Sequence, residues 1–275
     1  LKGLRIVVDC ANGASSRTAP NLFQRLECET DLIFCQPDGI NINTGCGSTH
    51  MEKLKEYVKT HGCDVGFAFD GDADRCLAVD RNGNLVDGDV LMAIFALDMK
   101  KRGKLKNNGL VVTVMSNLGL FHFAKEHDIT TPTTKVGDRY VLETIIRDGY
   151  CLGGEQSGHI IFFDDMTTGD GQLSAVHLLS VLARENKPLH ELRRIMTTYP
   201  QVLKNVRADD ELKASLWELD DLFKEMDDRL GDQGRVLVRP SGTEPLVRVM
   251  VEGADYDQIE EIAGLIAAAI EARQN

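Results

Sequence analysis

Short continuous apolar runs alternate with amphipathic stretches along most of this chain, and the runs are too brief for helices. LRIVVDC (4–10), LIFCQ (32–36), VGFAFD (65–70) and LAVD (77–80) each run out into Asn, Asp, Gly or Pro and read as strands. The turn Ala11-Asn12-Gly13 leads from the first into a helical stretch that ends near residue 27. A Gly- and Asn-rich loop, PDGININTGCGSTH, crosses from the second to a helix over 51–60. Asn82-Gly83 makes a tight turn, and Leu91, Ile94, Phe95 and Met99 at helical spacing place a helix over 88–101.

The alternation restarts at GLVVTVMSN (109–117), a strand followed by a helix over 118–127. TTKVGDRYVLETIIRDG (133–149) reads as a short strand, a Gly turn and a helix, and GGEQSGHIIFFD (153–164) as a Gly-rich turn into a strand. GDGQLSAVHLLSVLAREN (169–186) is a long helix. GLVVTVMSNLG echoes GLRIVVDCANG, so the pattern predicts an α/β protein with two tandem mixed-sheet α/β domains, over 1–87 and 88–198. From Tyr199 the character changes: a charge-rich helix over 210–230, the strands RVLVRP (235–240) and PLVRVMVEG (245–253), and an Ala/Ile-rich last helix. These predict a small α+β C-terminal domain over 199–275.

With 43% hydrophobic and 27% charged residues in 275, the composition is that of an ordinary globular protein. No apolar run reaches the ~18 residues of a membrane span. The opening LKGLRIVVDC reads as a strand rather than a signal peptide, and the absence of an initiator Met points to a piece cut from a longer protein. A net charge of −12 argues against a nucleic-acid backbone or an anionic membrane as partner, while a local arginine cluster still allows a small anionic substrate. The seven cysteines are odd in number and none forms a C-x-x-C pair, which predicts reduced thiols in a cytoplasmic protein.

Three loops carry chemistry. FAFDGDADR (67–75) sets Asp70, Asp72 and Asp74 at alternate positions where a strand ends. Alternate residues of an extended segment point the same way, and carboxylates so close repel unless a cation compensates them. Hard oxygen ligands favour Mg²⁺ or Ca²⁺ over zinc. An EF-hand loop counted from Asp70 needs Gly at its sixth position and Glu at its twelfth, where this chain has Arg75 and Arg81, so that reading fails. The plain alternative is a solvated acidic turn. Arg239-Pro240-Ser241-Gly242-Thr243-Glu244-Pro245, with Arg248 beyond it, combines two guanidiniums, two hydroxyls and a bare Gly N–H into an oxyanion cradle, or else is a hairpin turn near arginines. GGEQSGH (153–159) lifts a carboxylate, an amide and a hydroxyl on glycines, where they can hydrogen-bond a polyol; alone it is equally a plain turn. Together the loops describe a site for metal, sugar and phosphate.

FDGDADR, KVGDRYV, GGEQSGH and RPSGTEPLVRV resemble, in order, the signature loops of the α-D-phosphohexomutases, over essentially the whole chain. The resemblance implies domains carrying in turn a phosphoserine, a Mg²⁺ loop, a sugar loop and a phosphate loop. The last three have matches here. The Thr/Ser-Ser-His-Asn type serine loop has none, since Ser48-Thr49-His50 lacks the His-Asn pair and Ser15-Ser16 follows the first strand's turn. A chain without its phosphoserine domain, unable to catalyse phosphoryl transfer alone, is therefore expected. Carried over residue by residue, the resemblance implies Mg²⁺ on Asp70, Asp72 and Asp74, with Arg75 as the catalytic residue beside the phosphoserine. It implies Glu155 and Ser157 on sugar hydroxyls, Lys135, Asp138 and Arg139 bordering the cleft, and Arg239, Ser241, Gly242, Thr243 and Arg248 on the non-reacting phosphate. His159 is either part of that cleft or a support for its loop. Gln156, KVGDRY and VRVMVEG incline to a hexosamine phosphate substrate, glucosamine 6-phosphate becoming glucosamine 1-phosphate for UDP-N-acetylglucosamine synthesis. A sister enzyme acting on glucose or mannose phosphates and a non-catalytic sugar-phosphate-binding module stay open, and the longer protein is compatible with a homodimer.

Overall fold

Five strands form a sheet in the order β2-β1-β3-β4-β5, with β1 at Arg5–Asp9, β2 at Glu29–Ile33, β3 at Val65–Phe69, β4 at Cys76–Asp80 and β5 at Leu85–Val86. β1 runs parallel to both neighbours, Val8 lying opposite Leu32 and Phe67, whereas β4 and β5 return antiparallel. Alternation along the strands sends Val7, Ala68, Leu77 and Val79 to one face, against Leu54 and Val58 of α2 (Glu52–His61). Ile6, Val8, Phe67, Phe69 and Ala78 go to the other, with Ala19 and Phe23 of α1 (Ser15–Arg25). With both faces covered, the strands read as unbroken apolar runs. Complete burial of Phe67 and Phe69 contributes about 1.5–3 kcal/mol each. β2 ends before the 32–36 run does, because Phe34 takes a φ of +47° and turns the chain away at the carboxyl end of the sheet.

The computed structural model describes residues 1–242 and 244–274. They divide into two units, one of Leu1–Ser116 with Leu120–Thr197, the other of Asn117–Gly119 with the chain from Thr198 onward. In the first unit α3 (Gly88–Lys101) is capped by Asp87, which accepts from Val90 N–H at 3.0 Å. Two short sheets follow: β6 (Val112–Thr113) parallel to β7 (Thr133–Thr134), and β8 (Leu152–Gly154) antiparallel to β9 (Ile160–Phe162). α4 (Leu118–Glu126) and α5 (Asp138–Asp148) accompany them. The 109–117 run supplies only β6 and single bridges at Gly109 and Val111; Leu110, Val111 and Val112 are apolar because they are fully buried, without a long ladder. α6 (Gly171–Glu185), capped by Asp170 through Leu173 N–H at 3.0 Å, packs on β3, β4 and α3, and the four-residue α7 (Leu189–Leu192) closes the unit. Each Asp cap satisfies a first-turn donor and contributes about 1 kcal/mol.

The second unit is a three-stranded antiparallel sheet, β10 (Gln201–Arg207), β12 (Leu246–Gly253) and β11 (Gly234–Pro240) in spatial order. α10 (Tyr256–Glu271) covers it with Ile259, Ile262, Ile266 and Ile270. β10 is absent from the sequence reading; only Val202 and Val206 of its seven residues are buried, too sparse a signal to stand out. The expected helix over 210–230 is broken into α8 (Asp210–Ala214), a tight turn and α9 (Asp220–Leu230), since Ser215 N–H is shared between Glu211 O and Leu212 O. Among the described residues no helix is long and apolar enough to cross a membrane.

Candidate functional site

Parallel strands of an open sheet offer ligands a site at their carboxyl ends, and there, between β3 and β4, the oxygens of Asp70, Asp72 and Asp74 come within 4.8 Å of one another. Asp70 is buried, Asp74 half-buried and Asp72 exposed. Arg75 N–H donates to Asp70 Oδ1 at 3.2 Å, and its Nε lies 3.7 Å from Asp70 Oδ2 and 3.9 Å from Asp74 Oδ1. Burial pushes the Asp70 carboxyl up to about 6, against the pull of the Arg75 N–H, and the charges of Asp74 and Asp72 add to the rise. One guanidinium beside three carboxylates leaves net negative charge, and a divalent cation with oxygen ligands fits that deficit.

The glycine-rich hairpin loop after β8 is joined to this turn. Arg75 bridges His159 as an isolated antiparallel pair, and Cys76 N–H donates to Gly158 O at 3.1 Å. His159 is buried, its Nε2 3.5 Å from Asp74 Oδ2. Glu155 Oε1 accepts from Gly137 N–H at 2.9 Å, which brings the KVGDRY turn beside the loop. Ser157 is exposed. Gln156 reaches Asp87 at 3.5 Å while its carbonyl accepts from Gly88 N–H at 2.9 Å, so the loop rests on the first turn of α3. Lys135, Asp138 and Arg139 are exposed on the neighbouring turn, with Arg139 paired to Glu143 at 2.7 Å.

Sequence reasoning missed the third wall of this site. Gly171 N–H donates to Ala73 O at 2.9 Å, and a Cβ on Gly171 would fall 2.4 Å from Arg75 O. The start of α6 is therefore pressed against the carboxylate turn. Its signal is the GDG run at 169–171, a helix cap flanked by glycines, which announces a close approach without saying to what.

In the second unit Arg239 and Arg248 stand directly opposite each other on β11 and β12. Like charges so placed are destabilising unless an anion joins them, and burial, with the Arg248 charge, holds the Arg239 guanidinium below its ordinary pKa. Arg248 pairs with Glu244 at 2.6 Å. Ser241 is buried, its Oγ accepting from Glu244 N–H at 3.2 Å, and Gly242 is exposed. Thr243 lies outside the described residues. Two guanidiniums beside bare backbone suit a phosphate that must bind and leave.

Three family models match the chain: phosphoglucomutase/phosphomannomutase alpha/beta/alpha domain II over residues 1–83, alpha/beta/alpha domain III over 87–199 and the C-terminal domain over 183–269. The chain is 55% identical to a phosphoglucosamine mutase of Caldanaerobacter subterraneus subsp. tengcongensis and 52% identical to one of Clostridium novyi. Both alignments cover 100% of this chain, which spans about 62% of the length of these relatives. Among solved structures, a phosphoglucomutase/phosphomannomutase family protein of Burkholderia thailandensis matches with a TM-score of 0.81 and 25% identity, over 98% of this chain and 61% of that one. An Aspergillus fumigatus N-acetylphosphoglucosamine mutase in complex with GlcNAc-6P and magnesium matches with a TM-score of 0.77 and 22% identity, over 98% and 66%, a likeness of fold.

Proposed function

The chain belongs to the phosphoglucomutase/phosphomannomutase family, and from that premise we propose that it carries the metal, sugar and phosphate sites of a phosphoglucosamine mutase, which interconverts glucosamine 6-phosphate and glucosamine 1-phosphate. The observation that carries the reading is the bridge between Arg75 and His159, which sets the three carboxylates against the polyol-type loop. The choice of amino sugar rests on the relatives' names. We assign the metal loop to a domain over 1–87, the sugar loop to 88–198 and the phosphate loop to 199–275.

In this reading Asp70, Asp72 and Asp74 hold Mg²⁺, the ion of the magnesium-bound fold neighbour, and their uncompensated charge fits it. When bound, the ion supplies charge neutralisation for a transferring phosphoryl group. Arg75 donates toward the phosphoryl oxygens from its place beside Asp70 and Asp74. Glu155, fixed by Gly137 N–H, accepts from a sugar hydroxyl, and Ser157 offers a second contact from the exposed tip of the loop. Lys135, Asp138 and Arg139 border the sugar. Arg239, Ser241, Gly242, Thr243 and Arg248 grip the phosphate that is not reacting. The phosphoryl donor is a phosphoserine from outside residues 1–275. The seven cysteines are free, five of them buried, in keeping with a cytoplasmic enzyme.

Calorimetric titration of this chain in Mg²⁺ with glucosamine 1-phosphate, then mannose 1-phosphate, tests the substrate. Preference for the amino sugar is expected; equal binding refutes that choice, and turnover by residues 1–275 alone refutes the external donor.

A further inference from the structure

We propose that Asp9 is a positioning residue for the metal loop, tying the turn after β1 to the 42–48 crossover so that the two clamp Gly71 between Asp70 and Asp72. The inference rests on the metal reading above.

Asp9 ends β1 and is fully buried. Its Oδ1 accepts from Ala11 N–H at 2.8 Å and its Oδ2 from Gly47 N–H at 2.9 Å. β1 keeps its ladder to β2 and β3 through the backbone alone, so these side-chain bonds serve what lies beyond the sheet. A buried carboxylate is expensive to desolvate, and burial raises the Asp9 pKa while the two N–H groups, with the more distant Lys53 charge, lower it. Ala11 holds φ +51°, a left-handed shape that a non-glycine residue keeps only with outside support, while Gly47 takes φ +75° freely as a glycine.

From each donor the path to the metal loop is one contact long. On the Ala11 side, Ala14 N–H donates to Gly71 O at 2.8 Å, and Gly13 approaches so closely that a Cβ would lie 2.2 Å from that oxygen. On the Gly47 side, Ser48 N–H donates to Phe69 O at 2.9 Å. Asn43 N–H closes the circle on Ala11 O at 2.9 Å. A Cβ on Gly71 would meet Asn43 Nδ2 at 2.7 Å and Ile42 Cδ1 at 2.8 Å, so Gly71 has backbone on one side and crossover side chains on the other. Asp9 bonds both jaws through its two carboxylate oxygens, and Asn12 adds a longer side-chain bond from the turn to Cys46 Sγ at 3.9 Å. The VDCANG turn and the NINTGCGST loop, which carry no ligand themselves, thereby acquire a role.

Mg²⁺ titration of Asp9→Asn by calorimetry is the test. Asn keeps one acceptor but turns an N–H₂ toward the other donor, and supports behind metal ligands typically change affinity by about ten- to hundred-fold. A fall of that size is expected. Ile145→Val, in the separate cluster around Val111, Val141 and Ile161, loses stability without losing Mg²⁺ affinity if the effect is one of positioning. Hydrogen exchange on the wild-type chain reads the same coupling without a variant: Mg²⁺ should protect the amides of Ala11, Asn43 and Gly47 as well as those of 70–75. Protection confined to 70–75, or Asp9→Asn binding like wild type, overturns the inference alone. A wild-type chain that binds no Mg²⁺ overturns the metal reading and this inference with it.

Discussion

Gly88→Ala asks whether the sugar loop takes its shape from α3. A Cβ at this position lies 2.2 Å from Glu155 O, 2.8 Å from Gln156 O and 2.8 Å from Gly158 N, where ordinary contact begins at 3.4 Å. All three atoms are backbone, so no flexible side chain can move aside; the loop or the helix end must shift by more than 1 Å. Overpacking of this kind costs about 1–3 kcal/mol, and the helix preference of Ala over Gly offsets at most about 1 kcal/mol. A net loss of about 1–2 kcal/mol in a unit of this size lowers Tm by roughly 2–8 °C. Binding should suffer more, because Glu155 and Ser157 move with the loop: glucosamine 1-phosphate affinity is expected to fall by on the order of tenfold or more. Mg²⁺ affinity should fall less, since the carboxylates belong to the β3–β4 turn and meet the loop only at its far end, through Gly158 and His159. Scanning calorimetry and titration calorimetry measure the two effects. Gly264→Ala on α10, where a Cβ meets nothing within 4 Å, is the control and should stabilise by about 0.5–1 kcal/mol. A Gly88→Ala protein with wild-type Tm and wild-type sugar-phosphate affinity would show that α3 does not shape the loop.

Two further outcomes follow from buried carboxylates. Asp70 stands near 6 when folded against an ordinary 3.8, so the metal-free protein binds the extra proton between those values and this group's contribution to stability falls as pH rises through that window. Mg²⁺ needs the ionised form, so its apparent affinity should drop as pH falls below about 6; a flat profile from pH 5 to about 7 would contradict the burial argument. Glu252, fully buried, accepts from Arg235 and Gln201 at 2.5 Å each, and Glu252→Ala should destabilise the second unit by about 3–5 kcal/mol in urea unfolding. A loss below about 1 kcal/mol would mean that water replaces the carboxylate there.

Strands such as VGFAFD, helix starts such as Asp87 and the three chemistry-bearing loops are written locally, in periodicity, caps and dense functional groups, and the elements at β1, β3, α3 and α6 stand where those signals put them. Even the alternate aspartates needed no partner to be recognised, because their mutual repulsion is a property of spacing. Other features are invisible along the chain. β10 hides because only two of its residues face the core, and Phe34 leaves β2 early by a backbone angle that no side chain announces. The contacts that join the site are of the same kind: Gly171 against Arg75, Gly88 under Glu155, and Gly71 between Gly13 and Asn43. Each sets a bare glycine against residues tens of positions away, and a glycine records only that something comes close. The sequence by itself determined which groups are available and on what local scaffold. Tertiary structure decided which of them touch, because close packing of distant backbone depends on the fold as a whole and leaves no periodic trace in composition.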